Sequence, residues 1–371
     1  MPDYSLLIGA EAFWSKAAAD IAGARRRVLI QAMTFEGDAA GQAVATAIGL
    51  ASAADRRVLI DDYSRHVTND TLLPLMPYQA TGLRQEARAT RAMFSALAAG
   101  GTGVRVTNPV GYQPLRFPLR NHKKLLVIDD VAYIGGINFS DHNFAWHDLM
   151  VRIDDPQASA FLAEDFDRDW AGRPASAAGR FGGLELVTLD GTSNSAALAP
   201  VLAMFAGARR SIEMIGAYPT APFTDALARA AERGCAVTLY SPSENNKPLL
   251  RDYLFALAGS SRISLRLLPA MTHVKAVLVD GRTLLLGSVN FNVASYRTNG
   301  DLLAISRDKA LVKAFEQELF APARAQAGPP VRPRVAGWRR LRARGTLALT
   351  DLVLARLRHG PVRSIEWADV V

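Results

Sequence analysis

HKKLLVIDDVAYIGGINFS (122–140) and HVKAVLVDGRTLLLGSVNFN (273–292) are one pattern written twice, and the fold is read outward from them. Each couples an apolar run to a turn, at Asp129-Asp130 or Asp280-Gly281, and then to a second apolar run, as two antiparallel strands with a tight connection require. Upstream of the first copy, RRRVLIQAMTF (25–35), an alanine-rich stretch to about Ala54 and RRVLIDDYS (56–64) read as strand, helix and strand. Upstream of the second, RRSIEMIGAYP (209–219), FTDALARAAERG (223–234) and CAVTLYSPS (235–243) repeat that order. Both halves close with helical periodicity, in ASAFLAEDFDRDW (158–170) and ALVKAFEQELF (310–320). The expectation is an α/β chain of two similar lobes, each a mixed β-sheet flanked by helices. Composition places the first lobe at 1–180 and the second at 181–328. AGRPASAAGRFGG (171–183) is the linker, and the prolines of AGPPVRP (327–333) end the second lobe. A basic, leucine-containing tail, 329–371, remains.

The chemistry is carried by a repeated spacing, His122-x-Lys124-x4-Asp129 and His273-x-Lys275-x4-Asp280. With seven lysines and 24 aspartates in 371 residues, a given histidine meets it by chance on the order of one time in a thousand. Lysine is scarce beside 36 arginines, yet both copies carry it. A compact ammonium suits a single phosphate oxygen, where a guanidinium demands a planar partner. On an extended chain, residues two apart face the same side about 7 Å apart, so imidazole and ammonium reach one small anion. Gly135-Gly136-Ile137-Asn138 and Gly287-Ser288-Val289-Asn290 follow, with small residues for close backbone approach and Asn138 and Asn290 as amide donors. Two such edges around one tetrahedral phosphoryl centre make a phosphodiester site without a metal or other cofactor. Asp129 and Asp280 sit where a strand turns and read as structural residues of the motif. Asp141 is either a helix cap or a substrate contact. His142 and His147 lack a third ligand at a sensible spacing, so they read as rim histidines.

With these motifs the chain resembles the phospholipase D superfamily over nearly all of residues 5–322. Within it, the chain is most like bacterial cardiolipin synthases without transmembrane helices. The stretches MTFEGDAAGQAVATAI (33–48), PLRFPLRNHKKLLVIDD (114–130), GGINFSD (135–141) and 148–170 carry that likeness. The resemblance implies phospholipase D-type lobes related by a pseudo-twofold axis and a ping-pong reaction through a phosphohistidine. By analogy His122 is the nucleophile and His273 the acid and base, the near-symmetry leaving the reverse assignment open. It further implies that Lys124, Lys275, Asn138 and Asn290 neutralise the non-bridging oxygens. Asp148 and Asp301, roughly two dozen residues downstream, would fix the histidine tautomers. Asn299-Gly300-Asp301 stands where the family often has a glutamate after an asparagine, so a carboxylate is kept.

Charge and composition narrow the reading. Of the net +8, residues 331–371 hold nine arginines against Asp351, Glu366 and Asp369, so residues 1–330 carry +2. Near-neutral lobes argue against a nuclease and a nucleic-acid partner. A single cysteine, Cys235, excludes a disulfide framework, and no apolar run reaches the length of a membrane span. Apolar residues in proline-punctuated loops, Leu72, Leu73, Leu75, Met76, Tyr112, Leu115 and Phe117, suit acyl chains entering from a membrane or else pack on the core. The expected function is transfer of a phosphatidyl group to a lipid alcohol, with phospholipase D hydrolysis as the alternative. The expected partners are a phospholipid substrate and an anionic membrane surface, and the expected place is cytoplasmic, at the inner face of the cell membrane. The tail, with Trp338 and six arginines ahead of the leucines of 346–358, either holds that surface or packs back on the lobes.

Overall fold

The computed structural model describes residues 3–73, 81–111, 113–360 and 363–370. Two compact units divide the chain: Met1–Ala175 together with Arg358–Val371, and Ser176–Leu357. Each is built on an eight-stranded mixed sheet. Across the first sheet the strands run Asp3–Ile8, Leu149–Asp154, Val131–Gly135, Leu125–Ile128, Arg27–Ala32, Asp55–Asp61, Gly103–Thr107 and Ser364–Glu366. Across the second they run Ala177–Phe181, Leu184–Asp190, Gly300–Ser306, Thr283–Gly287, Ala276–Val279, Ser211–Ile215, Ala236–Pro242 and Ser264–Leu268. In each sheet three consecutive strands are parallel, and the hairpin bearing the repeated motif returns antiparallel beside them.

The parallel strands are buried runs of branched residues, such as Val28, Leu29 and Ile30 or Val58, Leu59 and Ile60, because helices cover the faces. The helices start where the sequence supplies caps. Asp38 accepts from the Gly41 amide at 3.0 Å to open Ala39–Leu50, and Asp155, followed by Pro156 in the first turn, opens Pro156–Trp170. Asp308 caps Lys309–Phe315 in the same way.

Asp129 and Asp280 do one job in the two units. Asp129, at φ 49°, accepts from the backbone amides of Arg25, Arg26 and Arg27 at 2.8–3.0 Å. Asp280, at φ 55°, accepts from those of Arg209, Arg210 and Ser211 at 2.7–3.2 Å. Each carboxylate therefore ties its hairpin turn to the start of the first parallel strand, Arg27–Ala32 or Ser211–Ile215. Desolvation pushes both carboxyls up, but the amides outweigh it and hold them below the usual aspartate range.

The unit boundaries differ from those the composition suggested. The expected linker contains an edge strand, Ala177–Phe181, which pairs with Leu184–Asp190 around Gly182 at φ 57°. Alternate side chains along it are exposed, so a small-residue stretch that reads as loop is satisfied by main-chain pairing. Nor do residues 329–371 stand apart as a tail. Val331 pairs with Leu265 on the outer parallel strand of the second sheet, and the helix Gly337–Leu354 lies on the same unit. Ser364–Glu366 pairs with Gly103–Thr107, and Trp367 is buried in the first core. The C-terminal chain thus covers the open parallel edge of each sheet, where unpaired N–H and C=O groups would otherwise stand.

The clip at Asp280 is open to test. Asp280→Ala removes the acceptor of three amides and puts alanine in a left-handed turn, and is expected to cost about 1–2 kcal/mol, read as a fall in the urea midpoint. Asp280→Asn, which tolerates the turn, is expected to lose less.

Candidate active site

The strand registers decide where the motif falls. Gln31 pairs with Leu125, Leu125 with Ile134, and Gly135 with Met150. The lead-in to Leu125–Ile128, the exit of Val131–Gly135 and the entry to Leu149–Asp154 therefore share one end of the sheet, the carboxyl end of the parallel strands. Open α/β sheets place their ligands at that end. His122, Lys124, Asn138 and Asp148 all lie there. The second unit repeats the arrangement through Ile215 with Ala276, Ala276 with Leu286 and Gly287 with Leu303, which gathers His273, Lys275, Asn290 and Asp301. Asp129 and Asp280 lie at the opposite end, roughly 20 Å away along an extended chain.

The histidines and lysines occupy the extended lead-in just before the strand rather than the strand itself. His122 and His273 are each 6% exposed, and Lys124 and Lys275 are buried. Lys124 Nζ donates to the His122 carbonyl at 2.7 Å, and Lys275 Nζ donates to that of His273. Each ammonium is thereby held beside the backbone of its own histidine.

Asn138 is fixed from both sides, its Oδ1 accepting from the Thr34 amide at 3.2 Å and its Nδ2 donating to Asn143 at 3.3 Å. The backbone N–H of Asn290 donates to Ser295 Oγ at 3.2 Å. The glycines serve something other than an approaching anion. A Cβ on Gly135 would lie 2.2 Å from the Leu149 carbonyl oxygen, and one on Gly136 would lie 2.3 Å from Asp148 Oδ1. Gly136 is required because the buried Asp148 carboxylate abuts its backbone. At the matching position Ser288 replaces contact with a bond, donating to Asp301 Oδ1 at 2.6 Å while accepting from the Leu302 amide at 2.9 Å. Asp141 clips helix starts, with its Oδ1 accepting from the Ala40 amide and its own amide donating to Asp38.

Three features escaped the sequence reading. Lys123, between the two motif residues, points to the other side of the chain and is fully buried against Asp165 at 2.7 Å and Asp169 at 2.9 Å. Burial pulls the ammonium down, but the two aspartates more than offset it and hold it above the usual lysine range. Asp169 also accepts from Gln31 and Asn121, so this cluster bolts the helix Pro156–Trp170 under the motif. The second unit has buried Val274 in its place. A second lysine in a lysine-poor chain, with two aspartates four residues apart on a helix, was the available signal. Arg120, also buried, donates to Asp61 at 2.6 Å and anchors the approach to His122. Tyr218 meets His273 edge to face, ring centres 5.8 Å apart, and its hydroxyl donates to Asn246 at 2.6 Å.

Other candidates fall elsewhere. His142 lies 3.1 Å from Ser140 Oγ and edge-on to Trp146. Among the described residues, Glu36, Asp38 and Glu86 are the group whose donor atoms approach closely enough for one cation. Burial and a hydrogen bond with Glu86 push the Glu36 carboxyl up to about 9, so it is protonated at neutral pH. The Asp38 oxygens already serve two amides. Of the loop residues, Leu75, Met76 and Tyr112 lie outside the described residues, and Leu115 is exposed.

Two mixed sheets, each with the same histidine, lysine, asparagine and aspartate at its ligand-binding end, define a duplicated phospholipase D-type fold. The family described as cardiolipin synthase, PLD-like domain, matches residues 18–170 and 201–321, and the chain belongs to it. Among its relatives are cardiolipin synthase A of Pseudomonas syringae, 28% identical over 62% of this chain and 53% of that one, and major cardiolipin synthase ClsA of Bacillus subtilis, 27% identical over 61% and 54%. The chain spans about half the length of these curated relatives. The crystal structure of phosphatidylserine synthase from Haemophilus influenzae shares the fold over 95% of both chains, at 15% identity and a TM-score of 0.71. No described helix is long and apolar enough to cross a membrane.

Two buried charges yield tests. Lys123→Met removes the ammonium buried between Asp165 and Asp169 and is expected to cost about 3–5 kcal/mol, read by chemical unfolding. Glu36 binds its proton more tightly folded than unfolded, so stability is expected to decline as pH rises from about 4.5 to about 9. Glu36→Gln is expected to flatten that decline in urea melts at pH 5 and pH 8.5.

Proposed function

We propose that the protein is a phosphatidyltransferase of the cardiolipin synthase type, acting on phospholipid phosphodiesters through a phosphohistidine. The observation that carries the reading is the duplicated constellation at the carboxyl ends of the parallel strands, in a chain whose family is cardiolipin synthase-like. The geometry inside each unit supports the assignment: a nearly buried imidazole, an ammonium anchored to its carbonyl and a buried carboxylate at one sheet end.

In the proposed reaction His122 attacks phosphorus as its P–N bond forms and the bond to the leaving alcohol breaks, while His273 supplies that alcohol's proton. His273 then takes the proton of the incoming lipid alcohol, whose oxygen attacks phosphorus as the P–N bond breaks. Lys124, Lys275, Asn138 and Asn290 stabilise charge on the non-bridging oxygens. Asp148 and Asp301 hold the imidazoles in the required tautomer and favour their protonated forms. The protein would work peripherally at the inner face of the cell membrane.

The test is to give the purified protein phosphatidylglycerol vesicles, with and without a second lipid alcohol, and to identify products by mass spectrometry. A product carrying two phosphatidyl groups is expected, and phosphatidic acid alone would make the protein a hydrolase. His122→Ala and His273→Ala are each expected to lower turnover at least 100-fold, with unchanged unfolding midpoints. A variant retaining more than about a hundredth of the rate would overturn the two-histidine mechanism.

A further inference from the structure

The helix Gly337–Leu354 has two apolar faces, and the second unit uses one of them. Ala343 and Leu354 are buried and Leu347 packs on the second core, while Arg297 grips Asp351 at 2.7 Å and Arg344 donates to Ser260 at 2.7 Å. On the opposite face Trp338, Leu341, Gly345, Leu349 and Leu352 recur at intervals of three and four residues and form a single stripe. Of the seven large apolar side chains exposed among the described residues, five belong to this helix: Trp338, Leu341, Leu349, Leu352 and Val353. The stripe runs for roughly 20 Å. A surface of that length and content calls for an occupant.

We infer that this outer face is the surface by which the protein lies on an anionic lipid bilayer. The charge around the stripe selects that occupant. Arg339 and Arg340 are exposed on the helix, Arg342 beside them reaches Asp252 at 3.4 Å, and Arg356 and Arg358 follow the helix. The helix has one acidic residue, Asp351, and that carboxylate is committed to Arg297. Arg339 and Arg342 stack on the Trp338 ring at 5.3 and 5.2 Å, so cationic and interfacial groups form one patch. A second copy of this face would set arginines against arginines, since a twofold contact pairs a patch with itself. Phosphate-bearing headgroups neutralise the arginines while the leucines and Trp338 enter the acyl boundary, as an interfacial helix lying flat requires. The docked face fixes the helix to the folded unit, so no ordering of a free tail is needed on binding.

This rests on the phospholipid reading for its purpose but not for its test. Because residues 331–371 complete both sheets and cover core side chains, deletion would unfold what it meant to probe. The probe is instead the full chain with Leu341→Glu, Leu349→Glu and Leu352→Glu together, its fold checked by circular dichroism and thermal melting. Partitioning is measured by sedimentation with vesicles of phosphatidylglycerol and phosphatidylcholine, or of phosphatidylcholine alone, at low and high salt. The wild type is expected to sediment with the anionic vesicles, less at high salt, and the variant at least tenfold less. Turnover of a short-chain phospholipid below its micellar concentration is expected to be unchanged in the variant. If both proteins bind vesicles equally, the inference falls. It falls equally if the wild type ignores vesicles and dimerises through this face, as analytical ultracentrifugation would show. If vesicle binding depends on the stripe but no phospholipid turns over, the docking surface stands and the catalytic reading fails. Should the triple variant fold poorly, Leu349→Glu alone with Arg339→Gln is expected to show a smaller loss, and no loss there would also overturn the inference.

Discussion

The antiparallel return of one short strand along the first parallel strand is the constraint on which the rest of each unit depends. Leu125–Ile128 runs back along Arg27–Ala32, and Ala276–Val279 along Ser211–Ile215. That direction puts the start of the motif at the carboxyl end of the parallel strands and its aspartate at the other end. Had either strand run parallel, the histidine and lysine would lie at the wrong end of the sheet, away from the asparagine and carboxylate that follow the hairpin. Asp129 and Asp280 enforce the direction by holding three amides of the first parallel strand's entrance against the hairpin turn.

On that shared frame the two units support their sites differently. The first bolts its motif from below with a buried lysine between two aspartates, where the second has a valine. A buried ion cluster is no more stable than well-packed apolar side chains of similar volume, so its use in one unit only is not a demand of stability. What it adds is direction, because an ammonium between fixed carboxylates admits few arrangements of the strand and helix it joins. The carboxylates behind the motifs also differ in setting: Asp148 presses on a glycine backbone, while Asp301 is held by Ser288. Tyr218 stands against His273, where the first unit has Thr34 bonded to Asn138. Two imidazoles of the same motif thus sit in unlike surroundings.

The C-terminal chain resolves a problem that parallel sheets create for themselves. Each sheet ends in a parallel strand, Gly103–Thr107 or Ser264–Leu268, whose outer edge would be open. Ser364–Glu366 closes one and Val331 meets the other. The helix between them is left with an apolar face that neither sheet needs, and that surplus is what makes the outer face informative.

Much of this was legible in the chain. The duplicated His-x-Lys-x4-Asp spacing, the hairpin turns and the strand–helix–strand order all lie within short segments, where periodicity of two or 3.6 and turn chemistry speak for themselves. The sheet ends that gather Asn138 with Asp148, and Asn290 with Asp301, follow once that order is known. What the chain alone did not show is what depends on partners distant in sequence: Lys123 meeting Asp165 and Asp169, Gly136 making room for Asp148, Arg120 reaching Asp61, and the C-terminal residues pairing with edges formed more than 60 positions earlier. Composition misplaced the linker and the tail, because small and basic residues carry no mark of the strand that will pair with them. The duplicated architecture and the residue types of the candidate site are written in local spacing and could be read from the chain. Which buried charges meet, which glycines are obligatory and which face of the last helix stays bare were decided by the tertiary structure, because burial and pairing are properties of neighbours brought together only by folding.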